Sequence, residues 1–184
     1  MRPIAFLFST LIFALLLSCD DKQSLQEYYV ENSERTDFIS LDIPASVVNL
    51  SEVELTEAQR SAYESVKKLN ILAFRITDDN KASYEAEKVK VKEILGDPKY
   101  RELMKFNTGK QRGVIKYMGS EDAIDEFIIF GSDNNRGFAL VRVLGNNMRP
   151  ENMIKLMDII EKADVEGEEI SKLEGFFGAR KTAP

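Results

Sequence analysis

The sequence predicts an α+β fold: a single domain whose mostly antiparallel sheet of five or six strands carries three helices gathered on one face. Three observations lead there. Strand-like apolar runs alternate with two capped helical segments in the first half of the chain, the pattern turns to strand and turn from Gly113, and helical spacing returns after Pro150. Removing residues 1–18 from the 184-residue chain leaves 166 (184 − 18), enough to bury roughly 68–70% of the unfolded surface around one core.

The first strand is Phe38–Pro44, where Ile39, Leu41 and Ile43 alternate with Ser40 and Asp42 and Pro44 has no amide to continue the ladder. Thr56 with Gln59 three residues on is a capping box. The helix it opens places Ala58, Ala62, Val66 and Leu69 on one face, with Glu64 four residues before Lys68 on the other. Leu69–Ile76 is apolar on both faces, which calls for a central strand. Asp78-Asp79-Asn80 caps a second helix, Lys81–Leu95, that stops at Gly96 before Asp97-Pro98. Tyr84, Val91 and Leu95 form its thin apolar stripe, and Glu85, Glu87, Lys88, Lys90, Lys92 and Glu93 are expected to face solvent.

Tyr100–Phe106 suits either a helical turn or a strand, and its approach to the turn Asn107-Thr108-Gly109-Lys110 favours the strand. Three more strands follow at 113–118, 126–131 and 137–144. The last two should form an antiparallel hairpin across Ser132–Arg136 and lie beside the strand of Phe74 and Ile76, burying those two with Phe127, Ile129, Leu140 and Val143. Pro150 opens the final helix, with Met153, Leu156, Met157 and Ile160 facing inward. Beyond Ala163, Ile170, Leu173, Phe176 and Phe177 are expected to pack back, completing a domain over 37–177, and residues 178–184 form a flexible tail.

The N-terminus bears on location. Met1-Arg2-Pro3 precedes an apolar run, Ile4–Leu17, that is shorter than the roughly 20 residues of a spanning helix, and Ser18 precedes the only cysteine, Cys19. Residues 1–18 therefore read as a signal peptide and 19–36 as a lipidated tether. Leu16-Leu17-Ser18-Cys19 resembles the lipobox of bacterial lipoproteins, which implies a lipid on Cys19 and a membrane as first partner.

Composition narrows the chemistry. Without Arg2 the formal charge moves from −6 to −7 (24 basic against 31 acidic residues), so nucleic acid is not an expected partner. There is no His and no Trp, and the lone thiol is assigned to lipid, which leaves no disulfide, no expected metal or cofactor site and no catalytic motif. Adjacent acids such as Asp20-Asp21, Asp78-Asp79 and Glu168-Glu169 are expected as solvated surface; a carboxylate-pair hydrolase acting on envelope or extracellular glycan is the rival reading. Asp133–Gly137 resembles part of a calcium loop, but Gly137 is fifth rather than sixth and Leu144 stands at the twelfth position, so a hairpin turn is expected.

Lys105, Lys110, Arg112 and Lys116 form a local basic cluster that reads two ways. It suits an anionic partner or headgroup; the more ordinary account is strand lysines that discourage edge pairing. Met148, Met153 and Met157 with Ile154 and Ile159 give the last helix apolar residues on more than one face, as a buried helix or a partner-binding helix would have.

The stretch Phe38–Ser46, the run Tyr100–Met104 before a glycine turn, the strand Glu126–Gly131 and the hairpin ending at Leu144-Gly145 together resemble a family of small bacteroidete lipoproteins known as domain of unknown function 4252, over residues 38 to about 163. The resemblance implies one domain on a lipid anchor and supplies no catalytic residue. Asp20-Asp21-Lys22 also resembles the acidic stretch behind the anchor in outer-membrane lipoproteins of that phylum. The expectation is a non-catalytic binding domain in the bacterial cell envelope, on the outer membrane, with an envelope protein or small apolar ligand as partner.

Overall fold

The computed structural model describes residues 22–47, 54–107, 109, 111–152 and 155. Within them lie six strands: β1 (Phe38–Pro44), β2 (Val66–Arg75), β3 (Arg101–Asn107), β4 (Gln111–Ser120), β5 (Ala123–Asp133) and β6 (Gly137–Met148). They make one antiparallel sheet in the order β1-β2-β6-β5-β4-β3. Three α-helices, α1 (Leu25–Asn32), α2 (Glu57–Glu64) and α3 (Lys81–Ile94), join a short 3₁₀ turn at Ala45–Val47. The α+β class, the antiparallel sheet and the strand at 101–107 agree with the sequence expectation; α1 and the 3₁₀ turn are helical elements beyond the three expected.

Side chains alternate along each strand, so the register sorts them onto two faces. On one face Phe38, Phe74 and Phe138 lie side by side, as do Leu72, Leu140, Phe130 and Val114. Helices α1 and α3 close over this face with Leu25, Tyr28, Tyr29, Tyr84, Val91 and Ile94. The opposite face carries a row that crosses all six strands, Leu41, Ile71, Val141, Ile129, Ile115 and Met104. Ala62 of α2 packs on that second face against Val66, Tyr117, Phe127 and Val143. The helices are therefore not gathered on one face, because a sheet apolar on both sides needs cover on both.

Two other expectations change. The segment read as a tether holds α1, which buries Leu25, Tyr28, Tyr29 and Asn32 at helical spacing. Ser24 and Glu27 close a capping box at its start, and the Tyr29 hydroxyl donates to the carbonyls of Asn70 and Leu140, so burial of one polar-looking stripe fixes a helix of only eight residues. The helix from Thr56 ends at Glu64 instead of continuing to Leu69. Its capping box forms as expected, but Ser65 closes the last turn by donating to the Ala62 carbonyl, and the Ser65 carbonyl accepts from the Asn146 amide beside β6. Val66, Leu69 and Lys68 thus belong to β2, and no helical Glu64–Lys68 pair exists.

The hairpin turn at 134–136 is held by Asp133, whose carboxylate accepts from the amides of Asn135 and Arg136 at 2.8 and 3.2 Å. Gly137 follows with φ +134°, and a Cβ there would stand 1.8 Å from the Phe74 carbonyl oxygen, so glycine lets β6 reach β2. Asn80 occupies the N-cap of α3 without capping it: its side chain turns back to accept from the Thr77 amide and donate to the Arg75 carbonyl and Asp37. Residues 150–152 are helical, as Pro150 suggested, whereas Met148 ends β6 and is buried there. Met153, Ile154, Leu156, Met157, Ile159, Ile160, Ile170, Leu173, Phe176, Phe177 and the 178–184 tail lie outside the described residues.

Candidate functional site

A cleft of about 530 Å³ runs between α3 and the β3–β4 side of the sheet. Its size falls within the roughly 300–1,000 Å³ typical of small-molecule sites. Val114 and Phe130 of neighbouring strands form the floor and Leu95, just past the end of α3, the wall. Five cations surround it. Lys88 and Lys92 stand four residues apart on α3 and so project to the same side, while Lys105, Arg112 and Lys116 come from β3 and β4. The register explains the convergence: Lys105 lies opposite Val114, Arg112 opposite Ser132, and Lys116 opposite Glu102, all on the face that carries Phe130.

These cations do different work. The Lys116 ammonium donates to the carbonyls of Leu95 at 2.5 Å and Tyr100 at 3.1 Å, tying the end of α3 to β4. Lys88 pairs with Glu85 at 2.7 Å and lies 4.5 Å from the centre of the Tyr84 ring. Lys105 pairs with Glu102 at 2.9 Å on the exposed rim. Among the described residues neither Lys92 nor Arg112 has an ion-pair partner. An apolar floor below two uncommitted cations suits an anion with an apolar body. Long lysine stems add further apolar lining to such a site.

Of the basic cluster singled out in the sequence, Lys105, Arg112 and Lys116 meet in this cleft; Lys110 lies outside the described residues. The sequence pattern puts Lys88 and Lys92 on the solvent face of α3, and their i, i+4 spacing shows only that they share a side, since the strands beneath them come from later in the chain. The ordinary account also finds support, because β3 is an edge strand and Lys105 stands on it. Asp133 and its neighbours form the hairpin turn described above, and the described residues contain no group of three or more acidic side chains placed to hold a metal ion.

Two carboxylates among the described residues are buried, Glu87 and Glu126, and neither lines the cleft. Glu87, expected on the solvent face of α3, is only 4% exposed. It accepts from Arg35 at 2.7 Å, from the Tyr28 hydroxyl at 3.0 Å and from Lys90 at 3.3 Å. Burial by itself pushes the Glu87 carboxyl upward, but the hydrogen bonds from Arg35 and Tyr28, with the nearby Lys90 charge, outweigh it and leave the group below its ordinary value of 4.5. A carboxylate held low when folded stabilises the protein above its unfolded value and loses that contribution as pH falls through the folded one. Glu87→Gln should therefore flatten the loss of stability below about pH 4.5. Urea midpoints between pH 6 and pH 3 check this, at roughly those values; parallel acid limbs for parent and variant would contradict it.

Glu126 is matched by Arg142, whose Nε and Nη2 donate to its two oxygens at 2.5 and 3.1 Å. Asp78 pairs with Lys81 on the exposed start of α3, while Asp20, Asp21, Glu168 and Glu169 lie outside the described residues.

One sheet, clothed on both faces and grooved beside α3 by a basic cleft, defines the class: a single-sheet α+β domain. The chain belongs to the family described as Domain of unknown function (DUF4252), whose model matches residues 28–156. That match begins inside α1, ten residues ahead of the start expected from the sequence. No curated protein and no solved structure matches the chain.

Proposed function

We propose that this chain is a bacterial envelope lipoprotein, anchored by lipid on Cys19 in the outer membrane, whose domain works by binding an anionic ligand or partner in the cleft beside α3. The observation that supports binding most is the pairing of Lys92 and Arg112, free of ion-pair partners among the described residues, with the apolar floor of Val114 and Phe130. The sequence −7 charge outside the signal makes a local cationic rim a selective feature rather than part of a general basic surface. The rival reading, glycan hydrolysis by paired carboxylates, lacks support from the two buried carboxylates, each of which is held by a guanidinium.

Anilinonaphthalene sulfonate, an aromatic anion that brightens in apolar sites, is a suitable probe. The folded protein should bind it, and Lys92→Glu with Arg112→Glu should weaken binding at least about tenfold, the equivalent of about 1.4 kcal/mol. Both positions are at the surface, so stability should stay within about 0.5 kcal/mol of the parent. Undiminished binding by the doubly substituted, fully folded protein would place the ligand elsewhere.

The anchor rests on Leu16-Leu17-Ser18-Cys19 behind the short apolar run. Among the described residues no helix is long and apolar enough to cross a membrane. Cys19→Ala should shift the protein from the detergent phase to the soluble envelope fraction, because two or three acyl chains hold firmly where one holds marginally. Full retention of the Cys19→Ala protein in the detergent phase would defeat the anchor.

A further inference from the structure

The short chain between anchor and domain fixes which end of the molecule meets the membrane. Lys22 and Gln23 line a depression together with Lys90, Glu93, Gly96, Asp97 and Lys99, at the C-terminal end of α3. Only three residue steps separate Cys19 from Lys22, and a fully extended chain covers at most roughly 11 Å in three steps. Helix α3 has 14 residues and so is about 21 Å long. A lipid on Cys19 thus comes within a few residues' reach of one end of α3 and falls short of the other. The cleft continues to the same end, because Gly96 lines both hollows.

We infer that the lipid on Cys19 holds the C-terminal end of α3 against the bilayer, so that the Lys92 end of the cleft opens onto lipid headgroups of the anchoring leaflet. This rests on the lipid anchor proposed above. The cations there are Lys22, Lys90, Lys92 and Lys99; Lys90 pairs with Glu87 and Lys99 lies 3.8 Å from Asp97, while Glu93 is the other acid in the depression. Lys22 and Lys92, without ion-pair partners among the described residues, are the cations available to a headgroup phosphate. Attraction of this kind contributes about 1 kcal/mol per basic residue near an anionic surface. Orientation therefore comes mainly from the short chain.

The test uses the lipidated protein purified from its own membranes and reconstituted in vesicles of phosphatidylcholine and phosphatidylglycerol. A lipidated Cys19 has no free thiol, so a cysteine introduced by Glu93→Cys or Asp79→Cys is the sole labelling site. Both residues are exposed, one near each end of α3. A fluorophore at position 93 should be quenched several-fold more strongly by headgroup spin labels than one at position 79. Equal quenching at the two positions would overturn the inference and leave the anchor standing. Labelling of the parent protein at Cys19 would instead overturn the anchor.

Discussion

Phe74→Ala is expected to destabilise the protein by about 3–5 kcal/mol, the range for deleting a buried phenylalanine ring. Phe74 is fully buried on an interior strand, and its ring meets Phe38 edge-on at 5.0 Å, stacks on Phe138 at 5.6 Å and lies 6.0 Å from Tyr84. Truncation removes the shared partner of three aromatic contacts from two neighbouring strands and α3. Edge-on and stacked pairs contribute roughly 0.5–1.5 kcal/mol beyond area burial, so the cost should lie toward the upper part of the range. For a chain of this length that corresponds to a fall in Tm of roughly 6–20 °C. Val89→Ala is the control: Val89 is half exposed on α3, and its loss should change stability by no more than about 0.5 kcal/mol. A Phe74→Ala protein that melts with its parent would contradict the aromatic core and the place of β2 in it.

Arg142→Met should also cost about 3–5 kcal/mol, for an electrostatic reason. Arg142 and Glu126 face each other with side chains 8% and 4% exposed, and Arg142 Nη1 donates to Gln26 of α1 at 2.6 Å. The guanidinium also lies 5.2 Å from the centre of the Tyr29 ring. Removing it leaves the Glu126 carboxylate buried without a counter-charge and loosens α1 from the sheet. The double change Arg142→Met with Glu126→Leu removes both charges, and it should recover most of the loss. Urea unfolding of the three proteins decides this, and hydrogen exchange of the α1 amides reports whether Gln26 was holding the helix. A double variant as unstable as Arg142→Met would mean that packing, not the stranded charge, sets the cost.

Much of the sheet was legible because local signals agreed with its final form. Asp133 through Gly137 specified the hairpin turn, the alternation of Phe38–Pro44 specified a strand, and the doubly apolar run at 69–76 specified an interior one. Helix α1 was not read from the sequence, although Ser24 and Glu27 make a capping box and Leu25, Tyr28, Tyr29 and Asn32 share a face. Its polar composition hid it, because tyrosine and asparagine become core residues only when the fold offers partners such as Glu87 and the Asn70 carbonyl. The cleft was half legible. Lys105, Arg112 and Lys116 cluster along the chain, whereas Lys88 and Lys92 join them only after α3 is laid across β4 and β5.

By itself the sequence determined the class of fold, most strand positions, the α2 cap and the turn chemistry, since each depends on residues within a few positions of one another. Tertiary structure decided where α2 gives way to β2, because pairing of β2 with β6 outweighs a helical pattern that Val66 and Leu69 also fit. It decided that the helices divide between two faces, that Glu87 and Glu126 are buried against arginines, and that five cations from α3, β3 and β4 share one cleft. These are contacts between residues far apart in the chain. Their energies depend on burial and on partners that local patterns do not specify.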